Sequence, residues 1–127
     1  MNAPDVSLLL EIDREYREKA EAGLLRKIAP RRYNPERVAW LPVLHTHAGV
    51  WEFTALFSNT DRAHELHRTH DWVVIFFHDG DAQGQATVVT ERHGSLSGLR
   101  VVRGREPECA RHYRTLAAPA AEHRTAH

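Results

Sequence analysis

The sequence predicts an α+β domain: a mostly antiparallel sheet of about five strands with an N-terminal helix, a short middle helix and a C-terminal helix. Three observations carry this. Apolar residues recur at helical spacing close to the N-terminus. Short apolar or alternating runs, broken by Gly, Asp and Ser turns, fill the middle of the chain. A charged segment with Pro107 in its first turn then follows the last of these runs.

Each element has its own signal. Over 6–22, Leu9, Ile12, Tyr16 and Ala20 line one helical face, with Asp5 placed to cap the start and Gly23 to end it. Residues 26–37 read as a basic, irregular connector, because Pro30 and Pro35 each remove a backbone donor. The run 38–45 is strand-like, and Pro42 suggests an edge or a bulge. A turn at 47–49 leads to 51–57, where Trp51, Phe53, Ala55 and Phe57 alternate with Glu52, Thr54, Leu56 and Ser58. A short helix is expected over 60–68, opened by the Ser58 to Asp61 start signal. Residues 72–77, Trp-Val-Val-Ile-Phe-Phe, are apolar on both faces and predict a central strand covered on both sides. Strands at 86–90 and 99–102 and a helix at 106–115 complete the domain, 1–116. Residues 117–127 lack periodicity and predict a frayed tail.

Composition sets the class. The chain has 127 residues, enough for one domain with a real core, and is 42% hydrophobic, which excludes a disordered protein. The longest apolar run, 72–77, falls far short of the roughly 20 residues that span a bilayer, so no membrane partner is expected. The single cysteine, Cys109, excludes a disulfide framework. The N-terminus has no basic signal-peptide start, and a cytoplasmic location is the expectation.

The formal net charge is zero, yet charge is unevenly placed. Residues 23–37 carry five bases against Glu36, and 99–115 carry five against Glu106 and Glu108. If Arg31 or Arg32 lies near Arg103 or Arg105, the two blocks become one phosphate-binding field. Tyr33 adds a ring that can stack on a base. Arg31, Arg32, Tyr33, Arg103 and Arg105 are therefore the candidate nucleic-acid contacts. A second candidate ligand site is the Ser58-Asn59-Thr60 turn with His64 and His45, where a helix start offers backbone donors to an anion. That set would serve a small enzyme acting on nucleotides or DNA ends.

Other constellations are better explained by structure. Histidines at 45 and 47, and at 64, 67 and 70, lack a thiol or carboxylate at signature spacing, so no metal or cofactor is expected. Asp79-Gly80-Asp81 follows a strand end, where turn chemistry accounts for it. Cys109 with His112 has no accompanying oxyanion-hole motif. The tail residues His123 and His127 are read as inert.

Several motifs occur together: Ile28-Ala29-Pro30-Arg31-Arg32-Tyr33-Asn34-Pro35, Trp40-Leu41-Pro42-Val43-Leu44-His45-Thr46, Thr54-Ala55-Leu56-Phe57-Ser58-Asn59-Thr60, Ala63-His64-Glu65-Leu66, Asp71-Trp72-Val73-Val74-Ile75, Val88-Val89-Thr90-Glu91 and Val101-Val102-Arg103-Gly104-Arg105-Glu106. In this order they resemble the C-terminal module of bacterial helix-hairpin-helix proteins, described as DNA-binding or family X DNA polymerase-like. The resemblance covers roughly 7–115 and implies an association with DNA. No helix-hairpin-helix segment occurs in these 127 residues, so it also implies a helix-hairpin-helix partner protein. The expectation is a non-enzymatic nucleic-acid-associated module; a protein-interaction or homodimerisation domain is the other non-enzymatic alternative.

Overall fold

The computed structural model describes residues 3–125, with side chains described through residue 117. Helix α1, Val6–Glu21, turns Val6, Leu9, Leu10, Ile12 and Tyr16 inward. Gly23, at φ +71°, ends it with paired bonds: its own N–H reaches the Ala20 carbonyl and Leu24 N–H reaches Lys19. Asp5 sits at the N-cap, but its carboxylate accepts from the Ser7 hydroxyl instead of from the helix backbone.

The sheet has six strands, one more than expected. They are β1 Arg26–Ile28, β2 Leu41–Ala48, β3 Trp51–Phe57, β4 Val73–His78, β5 Gln83–Thr90 and β6 Arg100–Val102. Every neighbour is antiparallel and spatial order follows sequence order. The added strand lies in the connector expected to hold none. The prolines restrict only its later part, leaving Arg26, Lys27 and Ile28 free to pair with Val43, Pro42 and Leu41. Pro42 consequently occupies the second strand, not the edge. Short helix α2, Asp61–Glu65, falls between β3 and β4, and α3, Glu106–Thr125, closes the chain. The C-terminal helix passes the expected end at 115: residues 117–125, read as frayed, are helical, and 126–127 lie outside the described residues.

Helices α1 and α3 contact each other, and α1 reaches strands β2 to β6. The core therefore lies on one face of the sheet, built from Leu44, Phe53, Ala55, Val73, Ile75, Phe77, Val88 and Val102 against Leu9, Ile12, Tyr16 and Cys109. Strand β4 is interior, as the apolar run 72–77 requires, but only one of its faces is covered. Val73, Ile75 and Phe77 are buried, whereas Val74 is half-buried and Phe76 is 46% exposed. With both long helices stacked together, neither of them covers the other face. Among the described residues no helix is long and apolar enough to cross a membrane.

Candidate functional site

The two candidate sets from the β1 side of the sequence meet. Between β1 and β2, Asn34 is buried and holds the connector closed: its amide donates to the Pro30 and Val38 carbonyls at 2.9 Å, and its oxygen accepts from Val38 N–H at 3.1 Å. This clamp leaves Tyr33 at φ +54°, a conformation uncommon for a non-glycine residue. The Tyr33 ring stacks on His64 with centroids 3.6 Å apart and planes 19° from parallel. Its hydroxyl donates to Asp61, and Arg32 reaches the same carboxylate at 2.9 Å. Asn59 links both segments, donating to the Arg32 carbonyl and facing His64 Nε2 at 2.7 Å. The bond from Tyr33 and the nearby Arg32 cation hold the Asp61 carboxyl below its usual range, and the same hydrogen bond raises the Tyr33 phenol.

The turn itself is a helix cap. Thr60 is the N-cap, its hydroxyl accepting from Ala63 N–H at 3.2 Å, and Ser58 Oγ faces Thr60 Oγ1. Helix α2 has five residues where about nine were expected (60–68), too few to gather a useful dipole at its N-terminus. Asp61 does not close the turn; it faces the connector.

Beside this junction the uncovered face of the sheet forms a shallow groove of about 320 Å³. Ile28, Leu56, Val74 and Phe76 give it an apolar surface beside the buried Leu41, and Arg31, Arg32, Ser58, Asn59 and Thr60 complete the lining. Arg31 and Arg37 also line an adjoining hollow of about 640 Å³ with Pro30 and Asn34. Arg26, Lys27, Arg31 and Arg37 are exposed and have no ion pair among the described residues.

The expected junction of Arg31 and Arg32 with Arg103 and Arg105 does not form. The first pair follows β1 and the second follows β6, at opposite edges of the sheet. Five strand spacings of ~4.8 Å put them about 24 Å apart. Arg103 is engaged by Glu106 at 2.9 Å and Glu91 at 3.5 Å. Arg105 makes a two-pronged contact with Glu108 and donates to the Pro4 carbonyl. His45 stands apart as well, on β2, its Nδ1 3.1 Å from Thr54 Oγ1. His45 on β2, His64 on α2 and Arg103 in the turn after β6 thus sit apart with different partners.

The remaining constellations resolve into structure. Asp79 accepts from Asp81 and Ala82 N–H, which is turn chemistry. The Cys109 thiol is buried against Val102 N–H, and burial pushes its pKa up, away from a reactive thiolate. No group of three His, Cys, Asp or Glu is arranged to hold a metal among the described residues.

Two features escaped sequence reasoning. Asp13, fully buried on the apolar face of α1, pairs with Arg17 at 3.0 Å and Arg100 at 2.8 Å. Arg100 also bonds Asp71 at 2.9 Å and Thr90 at 3.1 Å. An acid beside Ile12, four residues before Arg17, was the available signal. Among the described residues no buried side-chain polar atom lacks a partner, so this network is fully satisfied. The second feature is Phe76, which period-2 alternation puts opposite the core residues Ile75 and Phe77. No protein-family model, curated protein or solved structure matches this chain.

Proposed function

We propose that this chain is a non-enzymatic, nucleic-acid-associated module that meets phosphate along its β1 edge. The observation supporting it is the set of exposed, unpaired cations there: Arg26, Lys27, Arg31 and Arg37. Arg100, Arg103 and Arg105 are by contrast held by carboxylates. An unpaired guanidinium bonds a phosphate without first giving up a partner. With zero formal net charge, attraction is local and salt screens it readily.

The test is a salt titration of binding to a labelled oligonucleotide, starting at about 50 mM, the low end of the range where phosphate contacts are strong. Arg31→Glu combined with Arg37→Glu should weaken binding and flatten the salt slope by about two phosphate contacts. An unchanged slope would overturn the edge as the contact surface. The resemblance to helix-hairpin-helix proteins makes such a protein the partner to add in a second arm. A dimerisation reading rests on the same edge but is weaker, because β1 offers only three residues for pairing.

A further inference from the structure

We propose that the uncovered sheet face beside this edge is a platform for an unpaired nucleobase, with Phe76 as the stacking ring and the unpaired Arg31 on the same groove holding the adjoining phosphate. The inference rests on the reading above and narrows its substrate class to single-stranded nucleic acid.

Phe76 lies on an interior strand, yet 46% of it is exposed. Burial would normally be expected of a large aromatic side chain at such a position. Its cross-strand partners are Thr54 on one side and Gln85 on the other, with His45 opposite Thr54 one strand further. Val74, opposite Leu56 and Thr87, follows on the same face. The apolar ring is thus flanked by the Thr54 hydroxyl and the Gln85 amide, with Glu52 and His78 on the next rung of the same face. A base presents the same combination, a flat π-face and a polar edge.

Charge is complementary too. Arg31, which has no ion pair among the described residues, lines the groove with Phe76, Arg32 beside it is held by Asp61, and Arg26 and Lys27 continue the basic edge beyond. A strand whose base lay on Phe76 would bring its phosphates to that edge. In a duplex each base is already stacked and paired, so a ring on a sheet face cannot reach the face of a base. An acidic peptide with an apolar anchor would also meet these arginines. It favours a deep pocket over a shallow groove that leads to Thr and Gln, and it is the competing occupant in the test.

The experiment measures anisotropy of a labelled oligothymidine, an abasic strand of equal length, a duplex, and a glutamate-rich peptide carrying one Phe. The wild-type chain should bind oligothymidine most tightly. Phe76→Ala should lose about 5- to 150-fold in oligothymidine affinity, the size of one base–aromatic stack, and leave the abasic strand unaffected. Phe76→Trp, which keeps a stacking surface, should retain affinity, which separates stacking from any general effect on the fold. Equal affinity for the abasic strand or the duplex would overturn the platform and leave the phosphate reading standing. Absence of binding to every nucleic acid at low salt would overturn both readings. Preference for the peptide would assign the groove to a protein partner and overturn the platform.

Discussion

Pro42 has no N–H for the ladder in which it sits, and a helix residue bridges the gap. The β2–β3 pairing reaches Val43 opposite Leu56, so the next rung would join Pro42 and Phe57. There the Tyr16 hydroxyl accepts from Phe57 N–H at 2.9 Å and donates to the Pro42 carbonyl at 2.7 Å. Its ring meets Phe57 edge-on at 4.9 Å. Burial raises the phenol pKa, which keeps the hydroxyl a donor across the physiological range. Tyr16→Phe keeps the ring but strands two backbone groups, and should cost about 1–3 kcal/mol. A shift of the urea midpoint at unchanged m-value would report this; an unchanged midpoint would mean that water takes the hydroxyl's place.

Among the elements, the β4–β5 hairpin contains a steric dependence that sequence spacing conceals. Gly84 lies opposite Phe77, and a Cβ built there would stand 2.8 Å from the Phe77 ring tip. That ring packs edge-on against Trp51 at 5.4 Å, so it has little freedom to retreat. Gly84→Ala should destabilise by about 1–3 kcal/mol, as overpacking does. Combining it with Phe77→Leu should cost less than the sum of the two single changes, and strict additivity would sink the explanation. The same opposition has a geometric consequence. The glycine lets Phe77 fill the core side while Phe76, its neighbour, is directed to the open side.

Across the whole molecule, Arg100 connects α1, β5, β6 and the segment entering β4 through Asp13, Thr90 and Asp71. Burial alone would raise the Asp71 carboxyl. Hydrogen bonds from the Thr90 hydroxyl and amide, together with the Arg100 charge, outweigh that and hold it below 3.8. A depressed folded pKa favours the native state above the unfolded pKa and ceases to do so as pH falls through the folded value. Stability should therefore begin to drop as pH approaches 3.8 from above and continue down through the lower folded pKa. Urea midpoints recorded against pH for wild type and Asp71→Asn check this. The variant should be less stable at neutral pH and show a shallower acid decline, whereas parallel curves would remove Asp71 from the network's acid sensitivity.

The sequence by itself determined the class and nearly every element. The spacing of Leu9, Ile12 and Tyr16, the alternation from Trp51 to Phe57 and the apolar run at 72–77 are local signals, set by backbone periods of 3.6 and 2. Gly23 and Pro107 likewise mark helix ends through their own backbone chemistry. It missed β1, because a three-residue strand is specified by the partner it finds and not by its own pattern. It also named the residues of the β1-side junction in two separate groups, without the means to join them. Tertiary structure decided that Tyr33 stacks on His64, that Arg103 and Arg105 lie at the far edge, and that one face of β4 stays open. Those outcomes depend on strand order and on which face the helices choose. Both are set by long-range packing, to which a residue's immediate neighbours in sequence are blind.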